Sequence, residues 1–269
     1  MVQKEGLESS QVSHPSVGIV VPTLGTRPDL LKECLLSIRA AGNAYVLVVA
    51  PKSADLSEAE SLGLIDFRVE DPAKGLPAAI NFGIQSLPQN IEFFNWLGDD
   101  DKLIVGALDI ALEILQNNRK ASYVFGGCNY IDINGRKLAT NYSGNWARLL
   151  LRIGPDLIPQ PGALIRRSSF EQIGGLDTRY GWAFDLEMFI QLSKIGKGQY
   201  AGRVLSEFRW HDGSLTVGAR DGSSREARAI RKAHLPELLK PFAPLWEIPF
   251  HLVGKLAVKR LSTAVINKK

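Results

Sequence analysis

The chain has 269 residues, 45% of them hydrophobic and 22% charged, enough to bury a full core as one large domain or one domain with an appendage. Two cysteines, Cys34 and Cys128, lack metal-ligand spacing and are too few for a disulfide framework, which favours a reducing, cytoplasmic setting. The net charge is +4 but unevenly spread: residues 225–269 hold ten Lys or Arg against Glu226, Glu237 and Glu247, so the body before them is mildly acidic.

A basic tail on an acidic body suits contact with an anionic surface, and a solvated helix face is the competing reading. The start lacks the charged-then-apolar order of a secretory leader, and no uninterrupted apolar stretch reaches the length of a bilayer span.

In chain order, residues 1–16 are polar and unpatterned and are expected to be disordered. Val17 to Val21 form a continuous apolar run, as in a strand buried on both faces, and Pro22 ends it. Thr26 and Asp29 have capping-box spacing around Pro28, and Leu30, Leu31, Cys34, Leu35 and Ile38 recur at helical intervals. Tyr45–Val49 and Phe67–Val69 read as strands, Leu76–Leu87 as a helix, and Phe93–Leu97 as a fourth strand. Asp99-Asp100-Asp101 follow at once, and a new helical pattern follows them.

Strands alternating with helices over the first 120 residues predict a mainly parallel α/β sheet with helices on both faces. Right-handed crossovers then gather the loops after Val21, Val49, Val69 and Leu97 at one edge, where open α/β sheets bind ligands. From Ser122 the pattern changes. Tyr123–Phe125 and Asn129–Ile133 read as strands, Asn134-Gly135 as a hairpin turn, and the second half as mixed. Pro236, Pro241, Pro244 and Pro249 then break the helical pattern and mark a boundary before a carboxyl-terminal appendage.

The three aspartates are the most informative feature. Hard carboxylate oxygens suit a divalent ion such as magnesium, which takes one or two carboxylates plus substrate phosphates, so a metal-bridged diphosphate is the first expectation. The competing reading is a solvated acidic turn that ends a strand or caps the next helix.

Further segments accompany that turn: Val20-Val21-Pro22-Thr23, Gly75-Leu76-Pro77-Ala78-Ala79-Ile80-Asn81-Phe82-Gly83-Ile84, Asn95-Trp96-Leu97-Gly98-Asp99-Asp100-Asp101, Pro159-Gln160-Pro161-Gly162, Ile173-Gly174-Gly175-Leu176-Asp177, Phe184-Asp185-Leu186-Glu187-Met188-Phe189 and Phe208-Arg209-Trp210-His211. In this order they resemble the family 2 glycosyltransferases of the GT-A fold, over about residues 17–216. The resemblance implies a Rossmann-like domain over 17–235. Within it, 17–120 would be the nucleotide-sugar half and 121–235 the acceptor half, with a basic helical appendage at 236–269. It also implies a nucleotide-sugar donor, a saccharide or lipid-linked saccharide acceptor, and Mg²⁺ or Mn²⁺ as cofactor. Nucleic acid is not the expected partner.

By the same resemblance Asp100 is the principal metal ligand, with Asp101 supporting and His211 able to reach the ion. Pro22, Thr23, Asp71, Lys74, Asn81, Asp99 and Arg209 fall where the donor binds, and Gln160, Pro161, Gly162, Trp182 and Glu187 where the acceptor binds. Asp185 is the general base of a single, inverting displacement. A carboxylate stabilised at a helix start is the alternative for Asp185, and Glu187, two positions on, points elsewhere on a helix.

Two departures from the family pattern stand out. Val49-Ala50-Pro51-Lys52 lacks the usual Asp after the second strand, for which Glu70-Asp71 or Lys74 would compensate, and Gly98 stands where many members have the first acid. A nucleotidyltransferase would need a glycine-rich basic loop, which Val21-Pro22-Thr23-Leu24-Gly25-Thr26-Arg27 does not supply. A catalytically inactive sugar-nucleotide binder of the same fold stays open. In the tail, Leu252, Val253, Leu256, Ala257 and Leu261 alternate with His251, Lys255 and Lys259, compatible with an interfacial helix at the inner face of a membrane or with a helix packed on the core.

Overall fold

The computed structural model describes residues 15–142, 144–151, 153–154, 157–210, 220–242 and 245. The predicted strands form, and the first four belong to one parallel array. β1 (Val17–Pro22) pairs with β2 (Ala44–Ala50) on one side and β4 (Phe93–Trp96) on the other, and β2 pairs with β3 (Phe67–Glu70). Helices α1 (Pro28–Ala41), α2 (Ser57–Ser61) and α3 (Leu76–Gln85) make the crossovers.

The apolar run of β1 is divided between the two faces as a period of two requires. Val17, Ile19 and Val21 enter one core with Leu31, Leu35 and Ile38 of α1, while Val20 enters the other with Ile80 and Ile84 of α3. Gly83 is what lets α3 approach: an added Cβ would lie 2.5 Å from Val20 Cγ1. The capping box expected at Thr26 and Asp29 does not form. The N-cap of α1 is Arg27, with Pro28 in the first turn and no side-chain cap, because Pro28 removes an amide there and its fixed φ starts the helix unaided.

The second half extends the same sheet in mixed fashion. Among the described residues, β5 (Lys102–Leu103), β6 (Tyr123–Ile131), β7 (Lys137–Asn141), β8 (Leu164–Arg166) and β9 (Gln199–Arg209) complete nine strands in the order β3-β2-β1-β4-β8-β6-β9-β5, with β7 on β6. The two strands expected at Tyr123–Phe125 and Asn129–Ile133 are one, carried through Gly126-Gly127, where the register against β9 shifts. An added Cβ on Gly126 would come 2.4 Å from Leu205 Cγ of β9. The predicted hairpin is present, with Gly135 at φ 78 and the Asp132 carboxylate accepting the amides of Asn134 and Arg136.

The remaining α-helices among the described residues are α4 (Ala107–Asn117), α5 (Gly144–Leu150), α6 (Arg167–Ile173), α7 (Phe184–Ile195) and α8 (Arg220–His234). Cys34 and Cys128 are both buried free thiols. Among the described residues no helix is long and apolar enough to cross a membrane.

Candidate active site

Because β1 to β4 run parallel, their carboxyl ends meet at one edge, and the loops beyond them are tied together there. The Thr23 amide donates to Val49 O (2.9 Å), the Leu97 amide to Val20 O (2.9 Å) and the Asp71 amide to Ala50 O (3.0 Å). Gly25, at φ 73, presses the loop after β1 onto the loop after β2, since an added Cβ would meet Ala54 Cβ at 2.6 Å. Arg68 of β3 steadies that second loop from below by donating to Pro51 O (2.8 Å) and Ala54 O (3.0 Å).

The acidic turn is not solvated. Asp99, Asp100 and Asp101 are 5%, 9% and 5% exposed, so the reading of three free surface carboxylates gives way to a buried, partnered cluster. Thr23 Oγ1 donates to Asp99 Oδ2 at 2.5 Å, and the Arg27 guanidinium reaches both Asp99 Oδ1 and, at 2.6 Å, Asp100 Oδ2. The Arg209 amide donates to Asp101 Oδ1 at 2.9 Å. Burial pushes the Asp101 carboxyl well above the usual carboxylate range, with the charge of Asp100 adding to it. Burial also raises Asp99, opposed by the hydrogen bond from Thr23 and the charge of Arg27.

Gly98 makes room for this arrangement. A Cβ there would sit 3.1 Å from both Asp100 Oδ1 and Asp101 Oδ2, so two carboxylate oxygens flank one small cradle. Two crowded, buried carboxylates repel each other, and a hard divalent cation is the partner that relieves the repulsion. The residues present therefore fit such an ion. Among the described residues no group of three or more His, Cys, Asp or Glu is arranged to hold a metal.

Arg209 ends β9 beside this turn but faces inward. Its side chain is 1% exposed, and it donates to Asp100 O (2.9 Å), Ile133 O (2.6 Å) and Glu33 Oε2 (2.8 Å). The guanidinium is thus occupied in joining the acidic turn to the β6–β7 hairpin and to α1. His211, proposed from sequence to reach the metal, lies outside the described residues.

Asp185 stands in the first turn of α7, half-buried, with its Oδ1 accepting the Leu186 amide at 2.8 Å. The start of α7 is held against the end of β4: the rings of Phe184 and Trp96 have centroids 6.1 Å apart, four residues before Asp100. On the same strand end, Gln160 Nε2 donates to Trp96 O (2.8 Å) and Asn95 Oδ1 (2.9 Å), while Asn95 Nδ2 donates to Pro161 O (2.9 Å). Gly162 lies close against β9, where a Cβ would come 2.8 Å from Ser206 Oγ. So the Gln160–Gly162 turn and the α7 start both flank the strand that delivers the acids.

Helix α8 braces this side. Glu226 accepts the amides of Gly181, Trp182 and Ala183, each at 2.9 Å, satisfying donors just before α7 that its own helix bonds cannot reach. Glu187 does not point away freely: it is buried and bonded to His234 Nε2 (2.8 Å) of α8 and to Gln191 (3.0 Å). The Trp182 ring packs on Gly222 of α8, where a Cβ would approach it to 2.9 Å.

The other candidates are spread along the edge. Asn81 exchanges two hydrogen bonds with the Leu176 backbone, at 2.8 and 2.9 Å, and so joins α3 to the segment after α6. Asp71 accepts the Ala73 amide (2.8 Å), Lys74 is exposed, and Pro22 is half-buried. Arg27, Glu33 and Glu226 are the participants that sequence reasoning passed over. Only Arg27 had a signal, being the one cation in the first loop.

No protein-family model matches the chain. It is similar to an uncharacterized glycosyltransferase of Rickettsia typhi, 25% identical over 241 residues that span 84% of this chain and 73% of the relative. It superposes on S. aureus TarS in complex with UDP-GlcNAc with a TM-score of 0.61, 13% identity, and coverage of 83% of this chain and 69% of that one. The mannosyltransferase PcManGT of Pyrobaculum calidifontis, in complex with GDP-Man and Mn²⁺, gives a TM-score of 0.64, 19% identity, and coverage of 95% and 75%. The fold is a glycosyltransferase fold. Both solved structures hold a nucleotide sugar, on a chain whose architecture this one shares.

Proposed function

We propose that the protein is an inverting glycosyltransferase of the family 2, GT-A type, moving a sugar from a nucleoside-diphosphate donor to an acceptor hydroxyl, with Asp100 and Asp101 holding Mg²⁺ or Mn²⁺. One observation carries the reading: the buried acidic turn follows β4 directly, and the Asp185 end of α7 meets the end of that same strand through Phe184 and Trp96. The similarity to the Rickettsia relative and to two nucleotide-sugar complexes supports it.

In this reading the loop of Pro22 and Thr23 faces the nucleotide, with Asp71 and Lys74 beside it in the gap left by the missing Asp after β2. Asp99, fixed by Thr23, lies toward the ribose. The acceptor lies against Gln160, Pro161, Gly162 and Trp182. Asp185 takes the proton from the acceptor hydroxyl as its oxygen attacks the anomeric carbon. The bond from that carbon to the diphosphate breaks on the opposite face, and the nucleoside diphosphate leaves. A bound divalent cation supplies Lewis-acid stabilisation of the charge that develops on that diphosphate. Glu187 then acts by seating α7 on α8 through His234, and Arg209 by holding the acidic turn in place from within.

The test is a screen of UDP-, GDP- and dTDP-sugars for binding and slow hydrolysis with and without Mn²⁺, the wild type beside Asp100→Ala. One donor is expected to bind more tightly with metal, and Asp100→Ala to lose that metal dependence. Tight binding without any hydrolysis or transfer would support an inactive sugar-nucleotide binder. If no donor binds at all, the proposed function is wrong.

An envelope polysaccharide or glycolipid fits as the product, made at the cytoplasmic face of a membrane. Exposed Leu238, Leu239, Phe242 and Leu245, with Lys240 among them, lead into the basic, apolar tail and support association with an anionic lipid surface. The protein is expected to pellet with anionic vesicles and to stop doing so when residues 245–269 are removed. Pelleting that survives the deletion would exclude the tail as the anchor.

A further inference from the structure

One row of α8 faces α7 and the segment leading into it. Gly222, Glu226, Ile230 and His234 are four residues apart, the spacing that puts side chains on one helix face. Gly222 lies against the Trp182 ring, and Glu226 accepts the amides of Gly181, Trp182 and Ala183 at 2.9 Å each. Ile230 is 0% exposed in the core that holds Ala183 and Phe184, and His234 bonds Glu187. These contacts bracket Asp185, which follows Ala183 by two residues and precedes Glu187 by two. The N-cap of α7 is Ala183, among the poorest capping residues, and its side chain makes no capping bond. The acceptor that the start of α7 lacks in its own sequence is therefore supplied from α8, 43 residues beyond Ala183.

We propose that Glu226 is a positioning residue for the transfer: by holding these three amides it fixes Asp185 for proton removal and Trp182 for the acceptor. This rests on the reading above, in which Asp185 is the base and the acceptor lies against Trp182. Three consecutive amides converging on one carboxylate set the orientation of the 181–183 segment, and hydrogen bonds to a charged acceptor are stronger than neutral ones. Without that carboxylate the three donors turn to water, and the first turn of α7 loses its fixed approach to the acceptor hydroxyl. The rest of α7 stays seated through Ile230, His234 and the packing of Phe184 on Trp96, so the loss is one of aim and not of fold. A misplacement of about 1 Å at a reacting group can cost roughly 10²-fold in rate. Glu226 holds the acceptor side, whereas the donor meets the acidic turn and the first loop, so donor affinity should be unchanged.

The test uses the full chain, Mn²⁺ and the donor that the screen of UDP-, GDP- and dTDP-sugars identifies, reading hydrolysis rate, donor affinity by calorimetry and the melting curve. Glu226→Ala is expected to lower kcat roughly 10²-fold with donor Kd unchanged. Added formate should restore part of that rate by placing a carboxylate at the vacated amides. It should do nothing for Glu226→Gln, whose side chain fills the space, accepts fewer of the three bonds and lowers kcat by a smaller factor. Glu226→Gln is close to isosteric and carries the comparison if Glu226→Ala does not fold. In the Asp185→Asn background Glu226→Ala should cost little further rate, because a base that is absent cannot be aimed. Wild-type kcat in the Glu226 variants, or rate losses that multiply in the double variant, would refute the positioning role and leave the proposed function standing. If Asp185→Asn keeps the wild-type rate, or no donor is hydrolysed at all, the base assignment fails and the positioning role falls with it.

Discussion

Asp185→Asn should lower turnover by about 10²–10⁴-fold while leaving donor and metal binding close to wild type, because a positioned carboxylate base typically contributes that much to rate and nothing to holding the donor. The substitution is nearly isosteric. The oxygen that accepts the Leu186 amide is kept, so the first turn of α7 retains its hydrogen bond and the packing of Phe184 on Trp96 is undisturbed. The measurement is single-turnover transfer beside calorimetric binding of the donor identified in the screen. Equal rates for mutant and wild type would remove Asp185 from the chemistry and leave it a helix-capping carboxylate. A loss of donor affinity equal to the loss of rate would mean that it contacts the donor instead.

Arg209→Met should destabilise the fold by about 2–4 kcal/mol, since two buried carbonyls lose a donor at about 1–3 kcal/mol each. The methionine fills most of the volume, yet Asp100 O and Ile133 O lose the Arg209 donor inside the protein, and Glu33 loses its ion pair with Arg209. Urea unfolding should move to a lower midpoint with an unchanged slope, and the melting temperature should fall by roughly 10 °C. The same measurement separates two roles for this residue. If its guanidinium faced the diphosphate, stability would hardly change and donor affinity alone would suffer. If it supports the acidic turn from within, stability falls first and any loss of metal binding accompanies it.

The contrast between Arg27 and Arg209 illustrates what could and could not be read from residue order. Both lie at strand or loop ends near the acids, and the family resemblance implied Arg209 as the donor contact. Which arginine is buried depends on β9 reaching β5 and on the β6–β7 hairpin covering it, contacts between residues 76 and more positions apart. No local pattern encodes that. The same holds for Glu226, 43 residues beyond Ala183, whose carboxylate completes the start of α7. It also holds for Thr23 and Asp99, joined across 76 residues. Elsewhere local chemistry misled: Thr26 and Asp29 have the spacing of a capping box, but proline at the first helical position made a side-chain cap unnecessary.

By itself the sequence determined the parallel first half, the strand and helix positions within a few residues, the hairpin at Asn134-Gly135 and the edge at which the loops after the parallel strands would gather. Those follow from hydrophobic period, proline and glycine placement and the handedness of crossovers, all of which act over short stretches of chain. The tertiary structure decided the state of the site: that the three aspartates are buried, that one arginine locks them from behind while another rests on them from the open side, and that α8 fixes the helix bearing Asp185. Burial and the choice of ion-pair partner depend on which distant segments come to lie together, and that is settled only when the sheet closes.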